Sequence, residues 1–126
     1  MPATIRYIVS DVDDAIAFYV EALGFTLDMH PAPGFAALSR DGQRLLLNRP
    51  GAGGAGQAAG DGAAPAPGGW NRFQIETGDL VALVERLTAA GHRFRTGIVH
   101  GNGGDQALVE DPSGNLVELL QPKRPG

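Results

Sequence analysis

The sequence contains no cysteine in its 126 residues. Disulfide bonds, thiolate metal ligands and cysteine nucleophiles are therefore excluded. It also has no apolar run near the length of about 20 residues that a membrane-spanning helix needs. The N-terminal residues do not combine a basic segment with a following apolar stretch. We therefore expect no secretory signal, no membrane partner and a cytoplasmic location.

A basic surface is missing as well. Ten Lys and Arg residues stand against fourteen Asp and Glu residues, which gives a formal net charge of -4. Proteins that bind nucleic acid without sequence preference need a basic footprint to attract phosphates, so that class is excluded. The length fits one domain that buries a core without disulfides. We therefore expect a single domain over residues 1–126.

The most informative feature is an internal duplication. Each half predicts a strand, a helix and three further strands, and Asp11 and Asp79 stand where the two helices should begin. The pair Asp41-Gly42 predicts a tight hairpin turn. The predicted strands are 4–9, 25–29, 35–39 and 43–48, then 72–77, 94–99, 106–110 and 116–120; the predicted helices end at Gly24 and Gly91.

Residues 51–69 consist almost entirely of Gly, Ala and Pro. Such a segment buries too little apolar surface to offset the entropy lost on ordering. We expect a flexible linker between a first module over residues 1–50 and a second over 70–122, with a lid over a pocket as the alternative. Residues 51–56 match a G-x-G-x-x-G spacing, but no helix is predicted after them, so a dinucleotide-binding loop is rejected.

Three motifs together resemble a known family. Residues 9–19 (VSDVDDAIAFY) with 21–25 (EALGF), and residues 79–91, resemble the two modules of the glyoxalase/bleomycin-resistance/dioxygenase superfamily, also called vicinal oxygen chelate. Residues 111–119 (DPSGNLVEL) resemble its closing pair of strands. The resemblance implies an α+β fold of two tandem βαβββ modules whose sheets curl around one concave cavity. It also implies a homodimer.

Alternation along the strands predicts which side chains face that cavity. One set of alternate positions is apolar and is expected to pack beneath the helices. The intervening positions are expected to face the cavity. These are Thr4, Arg6, Ile8, Arg44, Leu46 and Asn48 in the first module, and Arg72, Gln74, Glu76, Leu116, Glu118 and Leu120 in the second.

The resemblance also locates four positions where metal-binding relatives place His or Glu. Here they fall on Thr4, Leu46, Arg72 and Glu118, of which only Glu118 is a competent ligand. Arginine offers no lone pair and would repel a divalent ion. We therefore expect no metal and no other cofactor, with one divalent metal ion as the alternative. In place of a metal, we expect Arg72 to pair with Glu118 across adjacent strands.

The expected function is binding of a small polar molecule without a catalytic metal. One alternative is a divalent-metal-dependent lyase, isomerase or dioxygenase of the same superfamily. Another is a metal-free enzyme, in which Glu76 or Glu118 acts as general base and Arg72 as electrostatic stabiliser. The candidate ligand-binding residues are Arg72, Glu118, Gln74, Arg6, Trp70 and Asn48.

The aromatic and histidine residues near the expected cavity have simpler explanations. Trp70 is either a hydrophobic anchor for the loop or a stacking surface at the cavity rim. His30, His92 and His100 fall on no family ligand position. We expect these histidines to be exposed or to cap an element, because a site needs several groups that converge.

Overall fold

The computed structural model of the chain describes residues 3–123. Residues 1–2 and 124–126 lie outside the described part. The first two belong to the N-terminal stretch from which no secretory signal is expected. The chain divides into two compact units, Met1–Gly68 and Gly69–Gly126. Within the described part, no helix is long and apolar enough to cross a membrane.

The first unit is a four-stranded mixed sheet with one helical segment. Its elements are β1 (Thr4–Ile8), α1 (Val12–Ala17) continued by a π-helical turn (Phe18–Ala22), β2 (Thr26–Ala32), β3 (Phe35–Arg40) and β4 (Gln43–Asn48). The strand order is β1-β4-β3-β2, with β1 parallel to β4. Asp11 begins the helix, because its Oδ1 accepts a hydrogen bond from the Asp14 backbone N at 2.9 Å.

The second unit repeats this order. Its elements are β5 (Arg72–Glu76), α2 (Leu80–Ala89), β6 (Phe94–His100), β7 (Gly104–Glu110) and β8 (Leu116–Pro122). The strand order is β5-β8-β7-β6, with β5 parallel to β8. Asp79 caps α2 by accepting from the Ala82 backbone N at 3.0 Å. Two mixed sheets, each with a helix, confirm the predicted α+β class.

The predicted strand bounds agree best for β4, which covers the predicted residues, and worst for the edge strand β2, which runs three residues past its predicted end. β6 ends one residue and β8 two residues later than predicted, and β7 begins two residues earlier. β2 and β6 carry register shifts against their neighbours, and every residue of β2 is exposed. An exposed, irregular strand has no strict alternation of apolar residues, so its ends leave little signal in the sequence.

The predicted hairpin between β3 and β4 forms at Asp41-Gly42. Both residues have a positive φ, 49° and 81°. This conformation is the one that a two-residue turn requires to match the twist of its strands.

A contact in the first unit shows which side of the sheet the helical segment covers. Arg40 on β3 donates from Nε to the Leu23 carbonyl, just after the π-helical turn, at 3.0 Å. The register places Leu45 and Leu47 of β4 on the same side as Arg40, and both are fully buried. The opposite side, which carries Arg44, Leu46 and Asn48 on β4, is called the helix-free face of the first sheet.

An equivalent contact orients the second unit. The Leu80 backbone N at the start of α2 donates to Oε1 of Gln121 on β8 at 2.8 Å. Val117 and Leu119 share that side of β8 by alternation and are fully buried. The opposite side of β8 carries Glu118, and we call it the helix-free face of the second sheet.

The first part of the expected linker has a defined conformation. Gly51 N donates to Gly56 O at 2.7 Å, and Gly56 N donates to Ala52 O at 3.0 Å. A single 3-10 turn, Gly54–Gly56, lies inside this loop. A Cβ built on Gly34, in the β2–β3 turn, would lie 2.5 Å from the Ala52 Cβ. The loop therefore packs directly against the β2–β3 turn.

Candidate functional site

Polar residues of the second sheet align in rows across its helix-free face. The β5–β8 register pairs Arg72 with Leu116, Gln74 with Glu118, and Glu76 with Leu120. β7 continues the rows, since Glu110 pairs with Leu116, Leu108 with Glu118, and Gln106 with Leu120. The alternation predicted for β5 and β8 therefore places Arg72, Gln74, Glu76 and Glu118 on one face.

Arg72, Gln74 and Glu118 form one hydrogen-bonded network. Arg72 donates from Nε and Nη2 to Oε1 of Glu118, at 3.2 and 3.1 Å. Gln74 donates from Nε2 to Oε2 of Glu118 at 2.5 Å. The Glu118 side chain is 13% exposed and that of Arg72 is 32% exposed. Both carboxylate oxygens are thus occupied, and the predicted contact between Arg72 and Glu118 forms.

Glu76 does not join this network. It lies in the row beyond Gln74 and is exposed. Its carboxylate has no hydrogen-bond or ion-pair partner among residues 3–123. The two candidate bases therefore differ, because Glu118 is held by an arginine and an amide whereas Glu76 carries a free charge.

A second charged cluster lies beside Trp70, and its central residue, Arg95, is not among the site residues that the sequence predicts. Arg95 donates from Nη2 to Oε1 of Glu110 at 3.1 Å and to Gly114 O at 3.1 Å. Its Nη1 donates to Gly69 O at 2.7 Å. Its guanidinium carbon lies 4.8 Å from the centroid of the Trp70 ring. A register shift between Phe94 and Thr96 removes the strand alternation that would have assigned Arg95 to a face.

The first unit brings Arg6 and Asn48 together. Arg6 Nη1 donates to Oδ1 of Asn48 at 2.6 Å, and Asn48 Nδ2 donates to Ala52 O at 3.4 Å. Asn48 is buried, so it fixes the guanidinium of Arg6. Arg44 lies on the same face, paired in register with Thr4. On β1 and β4 this face carries two arginines and no carboxylate.

The four positions that the resemblance assigns to metal ligands do not fit a divalent ion here. Thr4 and Leu46 stand at these positions in the first unit, and Arg72 with the Glu118 carboxylate that it holds stands at them in the second. One carboxylate with a guanidinium beside it is a poor donor set for a cation. Within residues 3–123, no group of three or more His, Asp or Glu side chains is placed to hold a metal ion.

The histidines stand apart from both arginine networks. His100 is exposed and its Nδ1 lies 2.7 Å from Oδ1 of Asp105. His30 is 3.8 Å from Asp13. The backbone N of His92 donates to Leu87 O at 3.0 Å, where α2 ends. These placements agree with the expected exposed and capping roles.

A cleft of about 420 Å³ also lies in the second unit, between the end of α2 and the β7–β8 turn. Asp111 lines it and is buried. Its Oδ1 accepts from the backbone N of Ser113 and of Asn115, both at 2.9 Å, and its Oδ2 accepts from Asn115 Nδ2 at 3.1 Å. Asp111 therefore holds the β7–β8 turn in place.

Comparison with solved structures finds the same fold in proteins of different activity. TnmS3, an antibiotic binding protein from Streptomyces sp. CB03234, is 27% identical, with a TM-score of 0.72 over 98% of this chain and 97% of that chain. A lactoylglutathione lyase from Agrobacterium tumefaciens is 20% identical, with a TM-score of 0.74 over 95% and 92%. The bleomycin-binding protein from Streptomyces verticillus is 23% identical, with a TM-score of 0.64 over 98% and 97%.

Comparison with the sequences of curated proteins gave no match. The family model described as Glyoxalase/Bleomycin resistance protein/Dioxygenase superfamily matches residues 2–119. That match spans both units, including the capped helices and the closing strand pair that carried the resemblance. The chain belongs to the Glyoxalase/Bleomycin resistance protein/Dioxygenase superfamily.

Proposed function

We propose that this protein binds a small polar molecule without a catalytic metal, and that the helix-free face of the second sheet provides the main contacts. The observation that carries the proposal is the network of Arg72, Gln74 and Glu118. A fixed guanidinium lies at a position that the resemblance assigns to a metal ligand, and a guanidinium recognises carbonyl and anionic groups directly.

Arg72 retains donors for such a ligand. A guanidinium has five N–H groups. Glu118 accepts from two of them, and Trp70 O accepts one from Nη1 at 3.3 Å. The remaining N–H groups belong to Nη1 and Nη2, whose nitrogens are already held in place. A ligand oxygen that accepts from them adds hydrogen bonds without breaking the pair with Glu118.

The charges on the helix-free face of the second sheet favour a ligand with groups of both signs. The charges of Arg72 and Arg95 are compensated by Glu118 and Glu110, whereas Glu76 is left without a partner in the described chain. A carbonyl or anionic group of the ligand would accept from the remaining donors of Arg72, and a cationic group is attracted to Glu76.

The relatives support binding as the activity. TnmS3 is described as an antibiotic binding protein and matches nearly the whole of both chains at 27% identity. On the basis of this similarity, we propose that this chain also binds a small molecule. The lyase is 20% identical, so its likeness supports the shared fold and no particular reaction.

The test combines metal analysis with a ligand screen. Protein purified without chelator is analysed for metals, and its melting temperature is measured with zinc, nickel, manganese and a library of small polar compounds. We expect substoichiometric metal, no large shift with the ions, and hits in the library. Stoichiometric metal or a large shift with one ion would instead support the metal-dependent lyase, isomerase or dioxygenase.

Arginine variants show whether hits use the proposed surface. Arg72→Met should abolish the shift caused by a hit. Arg93→Met is the matched control, because Arg93 is an exposed arginine of the same unit outside the Arg72 network. Turnover of a hit into product, lost in Glu76→Gln or Glu118→Gln, would favour the metal-free enzyme.

We further propose that the protein is a homodimer, as the family resemblance implies. The exposed apolar side chains of Leu27 and Met29 on the edge strand β2 support an association surface. Light scattering coupled to size-exclusion chromatography measures the molar mass. A mass equal to that of one chain at micromolar concentration would contradict the proposal.

A further inference from the structure

We infer that Arg95 is a positioning residue that holds Trp70 as a one-sided stacking surface, and that the ligand therefore carries a planar unsaturated ring. The inference rests on the proposed binding function and deepens it. It assigns a role to Arg95 and a chemical class to the part of the ligand that lies beside Arg72.

Three separate segments fix the guanidinium of Arg95. The acceptors are Gly69 O before β5, Oε1 of Glu110 on β7, and Gly114 O in the β7–β8 turn. The Arg95 and Glu110 side chains are only 25% and 23% exposed, so the ion pair is partly shielded from water. Because its hydrogen bonds run to three different segments, the guanidinium has a single orientation.

The Trp70 ring is placed on this fixed cation. The guanidinium carbon of Arg95 lies 4.8 Å from the ring centroid, within the range of a favourable cation–π contact. Even so, Trp70 is 62% exposed. A tryptophan that served only as a hydrophobic anchor would bury its ring. Here one face of the ring rests on Arg95 and the rest of the residue is largely accessible.

The backbone around Trp70 is also constrained. Gly68 and Gly69 both have a positive φ, 108° and 89°, a region that side-chain-bearing residues rarely adopt. Trp70 O accepts from Nη1 of Arg72 at 3.3 Å. Arg95 thus contacts the ring of Trp70, and Arg72 holds the backbone carbonyl of the same residue. The stacking surface therefore lies next to the proposed ligand contacts of Arg72.

This arrangement selects a planar ring. A flat π-system contacts the accessible indole face over its whole area, whereas a saturated ring of the same size touches it at a few hydrogens. Immobilising the indole before the ligand arrives lowers the entropy cost of binding. A polar substituent on the ring would then reach the remaining donors of Arg72.

Trp70 is the only tryptophan in the chain, so its fluorescence reports on this surface alone. The first measurement needs no ligand. Time-resolved anisotropy should show an immobile indole in the unmodified protein and increased local motion in Arg95→Met. Arg95→Lys should give intermediate motion, because a lysine keeps the charge and loses the planar fork. Circular dichroism establishes that each variant is folded.

The second measurement uses two matched compounds, 2-naphthoate and decahydro-2-naphthoate. Both carry one carboxylate, and only the first is planar. We expect 2-naphthoate to quench Trp70 and to bind about 2- to 10-fold more tightly than its saturated analogue, the range for an aromatic pair. Trp70→Leu and Arg95→Met should each remove this preference, and Arg95→Lys should retain part of it.

The inference is overturned if Arg95→Met leaves the motion of Trp70 unchanged. Equal binding of the two naphthoates, binding of neither, or a preference that persists in Trp70→Leu would overturn it as well. The proposed function is judged separately by the library screen and Arg72→Met. If hits bind through Arg72 but planar and saturated rings bind equally well, the proposed function would stand and this inference would be wrong.

Discussion

Arg72 and Glu118 pair across a diagonal of the second sheet. The register aligns Arg72 with Leu116, and Glu118 lies two residues further along β8, with its Oε1 3.1 Å from Nη2 of Arg72. In the first unit the equivalent diagonal joins Thr4 to Leu46, since Thr4 is aligned with Arg44. The two units therefore share one topology, and only the second carries an ion pair at these positions.

Removing the charge of Glu118 should weaken the fold modestly. Glu118→Gln keeps the size of the side chain and leaves the Arg72 guanidinium without a counter-ion. We expect the free energy of unfolding to fall by about 1 kcal/mol, since the pair is partly solvated. Urea denaturation measures the change. Glu76→Gln is the control and should change stability by less than about 0.5 kcal/mol; equal losses in the two variants would contradict the assigned pairing.

Replacing the guanidinium with an imidazole should create metal affinity. Arg72→His places a metal ligand beside Glu118 and removes the repelling charge. We expect Zn²⁺ or Ni²⁺ to raise the melting temperature in a concentration-dependent way, and titration calorimetry to show one site per chain. Arg44→His is the control. It adds a histidine opposite Thr4, in a row without a carboxylate, and should not gain affinity for either ion. Failure of Arg72→His to bind either ion would argue against the correspondence with the family's metal positions.

Two glycines with positive φ should respond differently to alanine. At Gly42, with φ of 81°, an added Cβ meets no atom within 4 Å. Gly42→Ala should therefore lower the free energy of unfolding only by the backbone strain, about 1 kcal/mol. At Gly104, with φ of 146°, the Cβ would lie 2.3 Å from Gln121 O. Gly104→Ala should lower the free energy of unfolding by about 3 kcal/mol, because steric overlap adds to the backbone strain. Similar unfolding free energies for the two variants would contradict the close approach of β7 and β8.

Packing of the loop at 51–57 against the β2–β3 turn can be tested by a rescue. Gly34→Ala would bring two methyl carbons to 2.5 Å, and should destabilise the protein by about 1–3 kcal/mol. Adding Ala52→Gly removes one of those carbons, so the double variant should regain most of the loss. Thermal denaturation of the four proteins measures the coupling. Additive effects would indicate that the loop does not touch the turn.

The strongest predictions came from local signals that act within a few residues. Asp11 and Asp79 begin their helices because a carboxylate accepts from the backbone N three residues later. Asp41-Gly42 forms the predicted turn because its positive φ values suit a tight hairpin. Alternation in β5 and β8 predicts that Arg72 and Glu118 share one face, since side chains on a strand alternate strictly.

Other features depended on contacts between distant segments. The hydrogen bonds of the loop at 51–57 were missed, because they involve the backbone of small residues that leave no apolar pattern. Arg95 was missed because a register shift in β6 hides its face, and its acceptors lie 26, 15 and 19 residues away in sequence. The placement of the Trp70 ring likewise depends on a distant residue, because Arg95 lies 4.8 Å from the ring centroid.

The amino-acid sequence determined the duplication, the order of the strands and helices, and the family to which the chain belongs. These follow from periodicity, helix capping and turn geometry, which depend on neighbouring residues. Tertiary structure decided which charges meet, as with Arg95 and Glu110, and which aromatic surface stays open, as with Trp70. Such contacts depend on strand register and on bulges, and a shift of one residue moves a side chain to the other face of its sheet.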